Sequence, residues 1–283
     1  MAYRLFAENE RGERLELTGN RNFDVLSVDG TSPPAAAINT VPIVGLDGTR
    51  FNSSRVEQRN IVLSLNIHHP IEDNRIVLYR FFRSKRWVRL IYENSHRRVY
   101  IDGYVETFEN NLWTELQQPQ ISIICPQPFW ISDTDTAVDF SNVLPLFEFP
   151  FDIPAEGIEF SQLLTVMTAT VDVGEVQTGG VIRFHALADG VENPKFFNET
   201  TGEFFGVDIT MQLDDLIIVN TNQGQKSVVL IRDGTTTNLL SQRTVGSVWL
   251  QFISGVNTVS YGADSGDVKL LVDLTIVRKY EGV

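Results

Sequence analysis

The residues able to do chemistry in this chain are few, and their spacing assembles none of the familiar sites. Its four histidines are His68, His69, His96 and His185. His68 and His69 are adjacent near a strand end, where successive side chains point to opposite faces, so the two rings do not chelate one ion together. His96 and His185 stand apart, and His185 lies mid-strand, as a satisfied or solvent-facing histidine would. Cys125 is the single cysteine. It excludes an internal disulfide framework and a thiolate metal cage, and its apolar neighbours fit a buried, inert thiol. Glu156 with Glu159, and Asp133 with Asp135, have the residue types for acid–base glycoside hydrolysis, yet paired carboxylates arise by chance in so acidic a region. Asp214-Asp215 and the Asp264-Ser265-Gly266-Asp267 turn offer oxygens to calcium without the ligand spacing of a calcium loop. There is no GxSxG, no phosphate loop and no HExxH. The expectation is a protein with no catalytic residue, cofactor or metal, and therefore not an enzyme.

Sugar binding needs less. It asks for an aromatic ring against the apolar face of a pyranose, with amides or charged groups on the hydroxyls. Trp249, Phe252 and Tyr261 supply rings, although Trp249 sits inside the run SVWLQF and reads as core. Asn193, Asn198 and Asn257 neighbour turns, where an amide serves equally as a turn former. The candidate glycan contacts are Asn193, Asn198 and Tyr261.

These side chains are carried by short strands. ISIICPQPFW, residues 121–130, is a buried strand stopped by Pro126 and Pro128, which remove two backbone donors and fix φ. Residues 131–157 have no sustained period and read as an irregular link. Residues 1–130 and 158–283 are then two domains. In the first, NIVLSLNIH places Ile61, Leu63, Leu65 and Ile67 on one face of a half-buried strand, and WVRLIYE, RVYIDGYVETFE and QISIIC follow as three more, with Gly103 a bulge or a close approach. DNRIVLYRFFRSKR predicts a helix over 73–86 capped by Asp73 or Asn74, with a strand as the alternative because Ile76 to Phe82 is apolar at every position but Arg80. Residues 29–57, rich in proline, glycine and small polar residues, predict a long exposed loop. In the second domain eight apolar runs at roughly ten-residue spacing, each closed by turn residues, predict a β-sandwich of jelly-roll or galectin-like type. The fold class is all-β with one short helix.

Composition agrees with two ordinary cores: 283 residues, 42% hydrophobic and 21% charged. No run approaches the eighteen apolar residues of a membrane span, and the N-terminus alternates charge with apolar residues too early for a signal peptide, so synthesis in the cytoplasm without membrane insertion is expected. Charge divides unevenly. Residues 1–130 hold 15 Lys+Arg and 15 Asp+Glu, whereas residues 131–283 hold 8 and 21. An acidic second half repels phosphate backbones, which argues against nucleic-acid recognition. The first half crowds Arg75, Arg80, Arg83, Lys85, Arg86, Arg89, Arg97 and Arg98 into one short region able to grip nucleic acid or to face an acidic surface on a neighbouring subunit, and the negative overall charge favours protein contact or plain solvation.

The order of these segments resembles the distal tail protein (Dit) family of long-tailed, non-contractile bacteriophages. The features that carry the likeness are LELTGN, the stretch GLDGTRFNSSRVEQRNIVLSL, the block YRFFRSKRWVRLIYENSHRRVYIDGYVETFE, the junction ISIICPQPFW, and in the second half NPKFFNETTGEFFGVDITMQLDDLIIVNTNQGQKSVVL and SVWLQFISGVNTVSY. The resemblance implies an N-terminal split or open β-barrel with a helix, a C-terminal galectin-like sandwich, and a virion location at the tail tip or baseplate. It further implies a homo-hexameric ring joining the tail tube protein to the tail-tip and receptor-binding proteins. Arg83, Arg86, Arg97 and Arg98 are then candidates for subunit or partner contacts, and the 29–57 loop for reaching a neighbouring ring. The alternative is a lectin-like module recognising host cell-wall glycans.

Overall fold

A computed structural model describes residues 3–114, 116–145, 161–165 and 167–283. They form two compact units, Met1–Thr134 with Lys279–Val283, and Asp135–Arg278.

Unit 1 contains β1 (Arg4–Asn9), β2 (Arg14–Glu16), β3 (Phe23–Asp29), β4 (Ala36–Pro42), β5 (Thr49–Val56), β6 (Arg59–Ile67), α1 (Ile71–Phe81), β7 (Trp87–Glu93), β8 (Arg98–Glu109), β9 (Gln120–Cys125) and β10 (Trp130–Ser132). Its main sheet runs β2-β1-β7-β8-β9-β6-β3, all antiparallel, with β10 added on β8. The sheet does not close into a barrel. Both of its ends line one cavity of about 240 Å³, Leu5 and Thr18 from one side and Val25 to Val28 from the other, with Tyr92, Trp130 and Val283 between.

Alternation determines the inner face. Ile61, Leu63, Leu65 and Ile67 of β6 are buried as the period-2 pattern predicts, and join Leu90, Ile101, Ile121, Ile123 and Trp130 in one core. Gly103 of β8 is a close approach rather than a bulge. A Cβ there would stand 2.6 Å from Ile123 Cγ2 and 2.9 Å from Cys125 Sγ. Gly103→Ala is expected to destabilise unit 1 by about 1–3 kcal/mol through overpacking, read as a lower urea midpoint at unchanged slope. A wild-type midpoint would contradict that packing.

The helix starts two residues earlier than predicted and ends five residues earlier, at Phe81. Its N-cap is Pro70, and neither Asp73 nor Asn74 caps it. Asn74 is buried and its amide donates to the His68 carbonyl instead. The basic run beyond Phe81 cannot continue the helix, because Phe82 turns inward to the core and Lys85 takes φ 67°. The residues predicted as a loop also differ: β4 and β5 pair into a hairpin ribbon separate from the main sheet.

Unit 2 contains β11 (Thr136–Asp139), β12 (Ser141–Pro145), β13 (Ser161–Thr165), β14 (Thr168–Asp172), β15 (Val181–Ala186), β16 (Val191–Glu192), β17 (Lys195–Asn198), β18 (Glu203–Gly206), β19 (Thr210–Met211), β20 (Leu216–Asn220), β21 (Ser227–Arg232), β22 (Thr235–Asn238), β23 (Val256–Gly262) and β24 (Leu270–Ile276). A final strand, β25 (Lys279–Tyr280), pairs with β10 in unit 1. The sheets β11-β24-β15-β20-β21-β22 and β14-β23-β17-β18 form a sandwich around Phe140, Phe184, Phe196, Phe205, Val219, Phe252, Val272 and Leu274.

Three expectations change here. Part of the expected link is strand, since the end of β10 and all of β11 and β12 fall within residues 131–145, while residues 146–160 lie outside the described residues. Of the run FFGVDITMQL, only the Val207–Arg243 bridge and the short Thr210–Met211 strand pair after β18 ends, and Leu213 is exposed. SVWLQFI alternates but is unpaired apart from one bridge between Phe252 and Thr178, with Trp249 half-buried against Phe205.

Candidate functional site

The sequence-predicted glycan contacts do not come together as a site. Asn198 is fully buried, its side-chain oxygen accepting from Thr200 N–H and its carbonyl from Gly202 N–H, so it shapes the β17–β18 turn. Tyr261 is 3% exposed and packs edge-on to Phe140, and burial pushes its phenol up from the ordinary value. Neither reaches solvent. Asn193 holds φ 50° and donates to Asp264, which Lys195 also bonds. A groove of about 520 Å³ on the outer face of the six-stranded sheet is lined by His185, Asp214, Leu216, Ile231, Leu271 and Asp273 among others, with no Phe, Tyr or Trp ring to stack on a pyranose.

The other candidates for chemistry are held in structural pairs. Burial alone would raise the Asp215 carboxyl, but hydrogen bonds from Arg232 and from Gln212 N–H keep it below the usual range. Burial pushes the Cys125 thiol up to about 12, which leaves it protonated and unreactive at neutral pH. Among the described residues no cluster of three His, Cys, Asp or Glu is arranged to hold a metal. Glu156 and Glu159 lie outside the described residues.

What unit 1 does present is contact surface. In the ribbon, Ala36 pairs with Val56 and Pro42 with Thr49, and every residue of β5 is exposed. Its turn uses Gly45 and Gly48 at φ 82° and 93°, the left-handed region that favours glycine. Val44 at the tip is fully exposed, and Ile38, Val41, Ile43, Leu46 and Phe51 are exposed with it. At about 3.3 Å per residue, each seven-to-eight-residue strand extends roughly 23–26 Å.

The base of the ribbon is fixed by a residue the sequence reading passed over. Arg59, 3% exposed, donates from Nε to the Pro128 carbonyl at 2.7 Å and from Nη1 to the Gly30 and Ser32 carbonyls at 2.7 and 2.9 Å, while Nη2 donates to the Glu281 carbonyl. Burial lowers its guanidinium pKa, with Cys125 and Glu281 acting in the other direction. Gly30, at φ 84°, lets the chain pass so close that a Cβ would lie 2.1 Å from the Asn60 carbonyl oxygen. The only local clue was an arginine placed just before a strongly apolar strand.

The structure separates the four predicted interface arginines into two groups. Arg97 donates to the Gly282 carbonyl at 3.0 Å and lies over the Tyr280 ring, and Arg98 pairs with Asp133 at 2.7 Å. Both serve the chain's own C-terminal tail and the stretch after β10. Arg83 and Arg86 instead line a cleft with Asn9, Glu10, Arg11, Arg80, Phe81 and Trp87.

Residues 10–125 match the family model described as phage tail protein RIFT-related domain. Comparison with curated proteins finds no match. Among solved structures, the SPP1 Dit (gp 19.1) protein, described as a paradigm of the hub adsorption apparatus in phages infecting Gram-positive bacteria, matches with TM-score 0.68 at 14% identity, covering 99% of this chain and all of that one. The phage P2 baseplate in its activated conformation with Ca matches at TM-score 0.52 and 12% identity, with both chains fully covered. At 14% and 12% identity, these likenesses show a shared fold over the whole chain.

Proposed function

We propose that this protein is the hub of a siphophage tail tip, in which copies of unit 1 associate into a six-membered ring joining the tail tube to the tail-tip and receptor-binding proteins. The observation that carries the ring is the β4–β5 ribbon. A lone two-stranded ribbon is marginally stable in water, and this one adds seven exposed apolar side chains, Val56 among them. A neighbouring copy that received it would bury those side chains and complete its packing. A head-to-tail contact of this kind closes into a ring when the rotation between copies divides a full turn.

The hub acts by holding partners in register, and no bond is made or broken. Synthesis in the host cytoplasm precedes its incorporation into the virion. The lectin reading loses two of its three contacts to the core and has no aromatic platform in the outer groove.

Electron-microscope class averaging of the purified protein, with native mass on the same sample, tests the proposal. A six-fold ring with a central channel is the expected result. A strict monomer, whether the protein is purified alone or with its tail tube protein, would overturn it.

A further inference from the structure

The cleft beside the C-terminal end of α1 collects positive charge that the rest of the molecule leaves uncompensated. Three short segments build it, each fixed by hydrogen bonds. Asn9, 7% exposed, accepts from the Arg11 and Glu13 N–H groups and so shapes the turn that presents Glu10 and Arg11. The last turn of α1 supplies Arg80 and Phe81. The turn after it, closed by Arg86 N–H to the Arg83 carbonyl and pinned by Lys85 N–H to the Val105 carbonyl, supplies Arg83 and Arg86. Four guanidinium groups therefore face one carboxylate, Glu10, which lies 3.5 Å from Arg86.

Among the described residues, Arg11, Arg80 and Arg83 have no ion pair and no side-chain hydrogen bond. Nearby arginines differ. Arg75 pairs with Glu72, Arg89 with Asp102 and Arg98 with Asp133. The helix dipole accounts for a cation at Arg80 or Arg83, since it favours positive charge in and just past the last turn. It does not account for Arg11, which arrives on a turn between two strands.

The enclosed space is about 20 Å³, room for one small group and too little for a nucleotide or a sugar ring. Guanidinium forks match a carboxylate in two-pronged hydrogen bonds, and Phe81 and Trp87 give the same cleft an apolar wall. The source of carboxylates is the chain itself. Unit 2 carries 19 Asp+Glu against 7 Lys+Arg, whereas unit 1 carries 17 against 16. Unit 1 is near neutral overall but concentrates four arginines in this cleft, and a basic cleft on one copy meets an acidic surface on another when copies associate head to tail.

We propose that Arg11, Arg80, Arg83 and Arg86 form a carboxylate-docking cleft for an acidic side chain on unit 2 of a second copy of this chain. The contact rests on the ring reading and adds to it a polar contact separate from the apolar ribbon. It makes assembly salt-sensitive and gives the association a direction, because like-charged cleft cannot meet cleft.

Sedimentation velocity of the wild-type protein and of an R11E/R80E/R83E variant, at about 50 mM and about 500 mM salt, tests it. Wild-type assembly is expected to weaken roughly tenfold or more across that range, and the variant to assemble at least roughly tenfold more weakly at low salt with little salt dependence left. Thermal unfolding within about 2 °C of wild type shows that the fold is intact, as expected for exposed side chains. Should the reversed charges impair folding, R11A/R80A/R83A makes the same comparison. A variant that assembles like wild type with the same salt response overturns the cleft contact and leaves the ring standing. Wild-type protein that stays monomeric at both salts overturns the ring, and this contact with it.

Discussion

Val44→Asp combined with Leu46→Asp is expected to dissociate the proposed ring to monomers while leaving each monomer as stable as before. Both side chains stand at the tip of the ribbon, Val44 fully exposed and Leu46 67% exposed, so neither supports its own unit. Exposed substitutions of this kind change stability by about 0.5 kcal/mol or less. In a neighbour's interface the balance differs. Burying two such side chains contributes about 3–6 kcal/mol, a factor of about 10²–10⁴ in each contact, and a carboxylate placed there adds a desolvation penalty. Native mass against concentration checks the loss, and thermal unfolding checks the monomer. Rings persisting at wild-type concentration would remove the ribbon from the interface. A parallel fall in melting temperature would mean that the ribbon packs on its own unit.

The ribbon illustrates where a sequence stops being legible. β6, β7, β8 and β9 were read to within a residue at each end, because one face of each strand is buried and the alternation records which. β4 and β5 bury neither face, so Ala36 to Val56 carries no such alternation and reads as a loop. The same reasoning explains SVWLQFI in reverse. Leu250 and Phe252 are buried and the residues around them are not, which creates the pattern of a strand where hardly any ladder forms. Burial produces the alternation, and pairing is a separate requirement. The helix boundary failed for another reason: Asp73 and Asn74 are good capping residues, but the chain already turns at Pro70, one residue before the helix begins. Among the candidate contacts, Asn198 reads in the sequence as a glycan amide or a turn former, and the structure places it in a turn. Its burial comes from the 247–253 segment, whose Gln251 carbonyl accepts from the Asn198 amide across 53 residues of sequence.

Arg59→Met is expected to lower the stability of unit 1 by about 3–5 kcal/mol, the range for removing one partner of a buried charged network. The four carbonyls that Arg59 satisfies belong to Gly30, Ser32, Pro128 and Glu281, and they lie up to 222 residues away in sequence. A methionine fills much of the volume and leaves all four without their donor, at the cost of unpaired buried acceptors. For a unit of this size the loss corresponds to roughly 6–20 °C in melting temperature. Arg59→Lys keeps the charge but replaces a planar fork by a single ammonium, which cannot reach four acceptors arranged around a guanidinium, so an intermediate loss is expected. The position of these acceptors gives the substitution a second consequence. Gly30 and Ser32 begin the ribbon and Glu281 lies in the C-terminal tail, so losing Arg59 frees both, and assembly should weaken together with stability. Ribbon-tip variants lose assembly alone. Thermal unfolding and native mass on the two variants separate these effects, and an Arg59→Met protein with wild-type melting temperature and intact rings would show that the four carbonyls find other donors and that the ribbon needs no anchor at its base.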